Sequence, residues 1–125
     1  MSGRDRALNA QPLVSIVVLN YNYGRYLTEA VESALSQTYP AIEVVVVDDG
    51  STDESAEVLA RYEGRVTICR KRNGGMVSAM NRGFAESRGD VIVFLDADDF
   101  LLPDAVAVHV AALADPGVVR SRDLT

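Results

Sequence analysis

Short apolar runs alternate with stretches of helical periodicity, and that alternation constrains the chain more than any other feature. Residues 14–19 (VSIVVL), 42–47 (IEVVVV), 66–69 (VTIC) and 91–95 (VIVFL) are rich in β-branched side chains and nearly continuous. Such runs suit strands covered on both faces, as in a parallel sheet. Between the first two, Leu27, Ala30, Val31, Ala34 and Leu35 recur at helical spacing and form one stripe, which Tyr39-Pro40 ends. Ser51-Thr52-Asp53-Glu54 has capping-box spacing, so a helix is expected to start there with Ala56, Leu59 and Ala60 inward. Asn73-Gly74-Gly75 reads as a turn, followed by a helix with Met76, Met80, Gly83 and Phe84 on its inner side. Pro103 suits the first position of a last helix that runs to about Ala114. Val118-Val119 then opens a fifth strand.

The order is β-α-β-α-β-α-β-α, which predicts an α/β fold: a doubly wound, mostly parallel, Rossmann-like sheet in three layers, α/β/α. At 125 residues one hydrophobic core is expected. Residues 1–12 are polar, with no hydrophobic centre, and read as a flexible leader rather than a secretory signal; the domain is 13–125. No apolar run approaches the roughly 20 residues of a membrane-spanning helix. The single cysteine, Cys69, excludes an internal disulfide and a cysteine-based zinc site. It reads as a buried strand residue and fits a cytoplasmic setting, at the inner membrane surface or away from it.

Eighteen acidic against 12 basic side chains give a formal net charge of −6, which makes a nucleic-acid polymer a poor partner. The cluster Arg70-Lys71-Arg72 is too short to reverse this. More telling is where the aspartates fall. In doubly wound sheets ligands bind beyond the carboxyl ends of the strands. After the first strand comes Asn20-Tyr21-Asn22-Tyr23, after the second Asp48-Asp49-Gly50-Ser51, and after the fourth Asp96-Ala97-Asp98-Asp99. Each motif alone reads as a turn, a helix cap or packing. Together they place five carboxylates on one rim. Their repulsion pushes some toward protonation unless a cation joins them, and Mg²⁺ or Mn²⁺ suits such a site with substrate phosphates.

Other templates are missing. His109 is the only histidine and lies inside the last helical stretch, so no Ser-His-Asp triad can form at a strand end. No P-loop and no Gly-x-Gly-x-x-Gly follows the first strand. The acidic loop at Asp96 is not an EF-hand, because Leu101 and Ala107 stand where glycine and glutamate are required. A phospho-acceptor receiver domain would need its acidic pair after the first strand, where Asn20-Tyr21-Asn22 stands.

The run Val14 to Asn22, Ser36-Gln37-Thr38-Tyr39-Pro40, Val47-Asp48-Asp49-Gly50-Ser51-Thr52-Asp53, Asn73-Gly74-Gly75 with Ala79 and Asn81, and Gly89-Asp90 through Asp99 resemble family 2 glycosyltransferases. These are inverting enzymes of the GT-A fold, and the likeness runs from about Leu13 to about Ala114. It implies a nucleotide-sugar site, for a UDP-sugar first of all. Tyr21 would lie against the base with Asn22 beside it, and Asp49 would accept a hydrogen bond from a uracil-like N–H. Asp48 would support that loop. Asp96, Asp98 and Asp99 cover the Asp-x-Asp motif, touching ribose or sugar and holding Mg²⁺ or Mn²⁺, with both Asp98 and Asp99 open as the metal ligand. Where the family often has arginine before the asparagine matching Asn81, this chain has Met80, so that a phosphate-directed contact is either missing or supplied by Arg82. The family's acceptor half and its general base lie beyond the Asp-x-Asp strand, so the resemblance leaves the base outside this chain. The alternative is a non-catalytic interaction module that keeps the sheet and forms a homodimer through its open edge.

Overall fold

The computed structural model describes residues 11–114. Strands β1 (Val14–Asn20), β2 (Ile42–Asp48), β3 (Thr67–Arg70) and β4 (Val91–Asp96) alternate with helices α1 (Gly24–Leu35), α2 (Ser55–Ala60), α3 (Met76–Glu86) and α4 (Ala105–Ala114). The strands form one sheet in the order β3-β2-β1-β4, with every pairing parallel. The α/β expectation is met. The expected strand at Val118-Val119 and residues 1–10 of the expected leader lie outside the described residues. Pro12, assigned to that leader, is buried, and its carbonyl accepts the Tyr39 hydroxyl at 2.5 Å.

The topology follows from the handedness of the crossovers. The chain steps from β1 to β2 to β3 in one direction, then returns past both to lay β4 on the far side of β1. Right-handed connections therefore put α1 and α2 on one face and α3 on the other. The core divides accordingly. Ile16, Val18, Val44 and Val46 pack with Leu27, Val31, Val58 and Leu59, while Val17, Leu19, Val45 and Val47 pack with Cys69 and Ala79. All seven residues of β1 are buried, which is why its sequence is a run rather than an alternation. Each fully buried valine or isoleucine contributes about 1.5–3 kcal/mol relative to exposure. α4 returns to the α1 face through Val106, Ala107 and Val110. His109 is exposed on that helix, and Cys69 is buried in its strand as expected.

Local rules mislead at three places. α2 begins at Ser55, not Ser51, and its inner face is Ser55, Val58 and Leu59, with Ala56 and Ala60 exposed. Ser51 does not cap it, because that hydroxyl donates to Asp48 Oδ1 at 2.6 Å. Glu54 holds the cap position without a side-chain bond; Asp53, one residue before it, ties the helix start instead, accepting the Ser55 N–H at 3.0 Å on one oxygen and the Gly24 N–H of α1 at 2.9 Å on the other. α3 turns Ala79 and Gly83 inward, whereas Met76 and Phe84 are exposed. A β-carbon at Gly83 would lie 2.4 Å from Val17 Cγ1, so the helix approaches the sheet closer than any other residue permits. α4 starts at Ala105, two residues after Pro103, which stays in the preceding turn.

Candidate functional site

The parallel register aligns the strand ends. Asn20 stands opposite Asp48, Leu19 opposite Asp96, and Asp48 opposite Arg70. The order reverses between β1 and β4, and there a cleft of about 460 Å³ opens on the α3 side, a size suited to a small-molecule ligand. Tyr21, Tyr23 and Asn20 from the β1 end line it with Asp49 and Asn73, Asp96 and Asp98, and an apolar floor of Leu19, Met76 and Ala79. Both tyrosines are partly exposed, at 46% and 41%. Thus Tyr21, Asp49, Asp96 and Asp98 meet in one cleft. Asn22, Asp48 and Asp99 do not line it.

Side-chain direction explains that division. Neighbouring residues on a strand face opposite sides. Val47 packs on the α3 side, so Asp48 turns to the α1 side and Asp49 back toward α3. Asp48 is buried and accepts from Asn20 Nδ2 at 2.8 Å and from the Ser51 hydroxyl at the start of the β2–α2 loop. Asn22 adopts the left-handed conformation, φ +57°. Its Oδ1 accepts the Thr52 and Asp53 N–H groups at 2.7 and 3.3 Å, and its own N–H donates to Ser51 Oγ at 2.9 Å. It staples the β1–α1 loop to the β2–α2 loop.

Asp49 is the most constrained acid. Its Oδ1 accepts from Lys71 Nζ at 2.6 Å and from the Gly74 N–H at 3.0 Å. Its Oδ2 accepts from the Gly75 N–H at 3.0 Å and from Asn73 Nδ2 at 3.2 Å. Burial pushes this carboxyl up, but the Lys71 ammonium and the two glycine N–H groups outweigh that and hold it below the usual carboxylate range. At Asp49 the cation that relieves the crowding of the acidic rim is the Lys71 ammonium. The geometry needs Gly50 beside it, because φ is +81° there and a β-carbon would sit 2.6 Å from Asn73 N. Asp53 behaves similarly: burial pushes its carboxyl up, while hydrogen bonds from Ser55 and Gly24 bring it below the ordinary value.

The acidic loop separates its members. Asp96 and Asp98 line the cleft, whereas Asp99 Oδ1 accepts the Phe100 N–H at 2.9 Å. Among the described residues no three acidic, histidine or cysteine side chains converge as a ready-made metal cage. Two carboxylates beside an open cleft fit instead a hard cation that takes its remaining oxygens from phosphate and water. Arg82 does not line the cleft, and its Nε donates to Glu86 Oε1 at 3.1 Å. Sequence reasoning missed the contribution of Lys71, whose only signal is that it is the one lysine in the chain. It also missed Asp53, whose carboxylate joins two helix starts. No described helix is long and apolar enough to cross a membrane.

Comparisons with known proteins extend this geometry. The family described as Glycosyl transferase family 2 matches residues 15–122. A hyaluronan synthase of Pasteurella multocida is 45% identical over 105 residues, which cover 82% of this chain and 11% of that protein. The crystal structure of S. aureus TarS 1-349 in complex with UDP-GlcNAc superposes with a TM-score of 0.71 at 29% identity, over 80% of this chain and 30% of that one. The mannosyltransferase PcManGT from Pyrobaculum calidifontis, in complex with GDP-Man and Mn²⁺, gives a TM-score of 0.69 at 27% identity, over 93% and 38%. The chain spans less than a third of the length of the first curated relatives it matches.

Proposed function

The chain belongs to glycosyl transferase family 2, and from that premise we propose that its cleft binds a nucleoside-diphosphate sugar and that the protein transfers the sugar to an acceptor hydroxyl with inversion. The observation that carries this reading is the meeting of Tyr21, Asp49, Asp96 and Asp98 around one cleft at the switch point of the sheet. The UDP-GlcNAc bound by TarS and the GDP-Man bound by PcManGT support the same ligand class.

The residues divide the ligand between them. Tyr21 offers a ring face to the base. Asp49, kept ionised by Lys71, accepts an N–H from the base edge. Four donors already surround it, so the incoming N–H replaces the weakest, Asn73 Nδ2 at 3.2 Å. An ionised acceptor there favours a base that presents an N–H, as uracil and guanine do, over one that presents a bare ring nitrogen. Asn22 and Asp48 act at one remove by holding the loop that carries Asp49. Asp96 faces the ribose and sugar, and Asp98 holds Mg²⁺ or Mn²⁺ against the diphosphate. A bound cation supplies neutralisation of the charge that grows on the leaving diphosphate. The acceptor's general base is not assigned to any described residue.

Titration with UDP, UDP-GlcNAc and GDP-Man in Mn²⁺ tests this directly. Saturable heat with at least one nucleotide, and a matching thermal shift, is expected. Silence from all three at millimolar concentration overturns the reading.

A further inference from the structure

The segment after the acidic loop is fastened to the far end of one helix. Leu101 donates its N–H to Ser33 Oγ at 3.0 Å, and Ser33 Oγ donates in turn to the Ala30 carbonyl at 2.7 Å. Gln37 Nε2 donates to the Leu102 carbonyl at 2.7 Å and to the Ser33 carbonyl at 3.1 Å. Gln37 Oε1 accepts the Val106 N–H at 2.9 Å, at the start of α4. The Thr38 N–H donates to the Pro103 carbonyl at 2.8 Å. Gln37 itself is 9% exposed. Its amide joins backbone groups on both sides: the Leu102 carbonyl also accepts the Ala105 N–H at 3.0 Å, whereas an apolar replacement would take from the Val106 N–H its acceptor in a buried setting.

The other end of the loop is anchored to the sheet. Ala97 donates its N–H to the Leu19 carbonyl at 3.0 Å, and Asp99 donates to the Asp96 carbonyl at 2.9 Å. Asp98 therefore sits on a short span between two clamps, β1 on one side and the α1 end with Gln37 on the other. From this we infer that Gln37 is a positioning residue for Asp98: it fixes the outgoing half of the acidic loop and so the direction in which that carboxylate enters the cleft. Gln37 lines no part of the cleft, and its effect passes through the backbone of 101–106. The inference rests on the proposed reading of the Asp98 side of the cleft as the diphosphate and cation side.

The experiment compares the full chain with Gln37→Met, an apolar side chain of similar length, and with Ser33→Ala, which loosens the clamp at Leu101 only. UDP and GDP affinities are measured calorimetrically in Mn²⁺ and again in EDTA, and amide hydrogen exchange is followed at Leu101 and Val106. Gln37→Met is expected to weaken nucleotide binding in Mn²⁺ by about tenfold or more, as loss of an orienting partner does. Binding in EDTA should change less than about twofold, since that portion rests on Tyr21 and Asp49. Exchange at both amides should accelerate. Ser33→Ala should act in the same direction and less strongly, and it carries the test if Gln37→Met does not fold. Equal losses in Mn²⁺ and EDTA overturn the inference in favour of general destabilisation, and so does unchanged affinity with faster exchange. Nucleotide binding by the parent chain with no Mn²⁺ dependence overturns it as well. No nucleotide binding by the parent chain at all is instead the failure of the proposed function.

Discussion

Lys71 Nζ lies 2.6 Å from Asp49 Oδ1, and both side chains are largely withdrawn from water, at 13% and 6% exposure. The pair joins the residue just after β2 to the residue just after β3, and its Asp49 lines the cleft. Lys71→Met removes the charged partner and leaves Asp49 with its three uncharged donors. We expect a stability loss of about 1.5–3 kcal/mol in denaturant unfolding, in keeping with a lost hydrogen bond to a charged group. The Asp49 carboxyl should rise toward the ordinary carboxylate value, which titration by carbon-detected NMR would show. Wild-type stability within 0.5 kcal/mol (about the noise of such measurements) would mean that the pair contributes nothing net.

Gly50 follows Asp49 at φ +81°, pressed against Asn73 N. Gly50→Ala adds a left-handed penalty of about 1–2 kcal/mol and a clash with backbone that has no flexible end to yield. A total loss near 3 kcal/mol is expected, with the Asn73–Gly75 turn displaced from Asp49. Nucleotide affinity should fall alongside. Full affinity in a destabilised variant would show that the turn is not needed for the base.

How far the sequence reveals this molecule depends on the range of the interaction. β1 is buried on both faces, so its run of apolar residues is visible without any partner. The four strand positions and the clustering of Tyr21, Asp49, Asp96 and Asp98 follow from that and from the handedness of crossovers. Residues whose partners are remote are illegible. Asp53 caps Gly24, 29 residues upstream, and this long-range bond displaces the local rule that assigned the cap to Ser51. Gln37 meets Leu102 across 65 residues. The α3 stripe is right at Met80 and Gly83 and misread at Met76 and Phe84, for another reason. Large apolar side chains are often exposed, whereas here the small Ala79 and Gly83 mark the contact face, because a close approach to Val17 selects for the absence of volume.

Asp53→Ala removes one carboxylate from two helix starts. Caps are worth about 1 kcal/mol each, so a loss of about 2 kcal/mol is expected, and Asp53→Asn should recover part of it. The pH dependence has a definite sign. Asp49 and Asp53 are both held below their ordinary values in the folded state. Each therefore adds stability that is complete above the unfolded carboxyl value and disappears as pH falls through the folded one. The wild type should be flat near neutrality and weaken below about pH 4. Asp53→Asn should show a shallower acid limb in thermal melts from pH 7 to pH 2.5 (about the span that covers both carboxyl states), and an identical limb would remove Asp53 from the account.

Asp98 and Asp99 are neighbours with different employment. Asp98 lines the cleft, while Asp99 Oδ1 is already bonded to the Phe100 N–H. If the cation side of the cleft belongs to Asp98, Asp98→Asn should lower nucleotide affinity in Mn²⁺ by about tenfold, about 1.4 kcal/mol, and leave binding in EDTA nearly unchanged. Asp99→Asn keeps an oxygen for Phe100 and should cost less than about threefold, under 0.7 kcal/mol. Calorimetric titration of the two variants with UDP or GDP separates the registers that the sequence alone leaves open. The reverse order of effects would move the metal contact to Asp99, which requires the Phe100 hydrogen bond to break when the ligand enters.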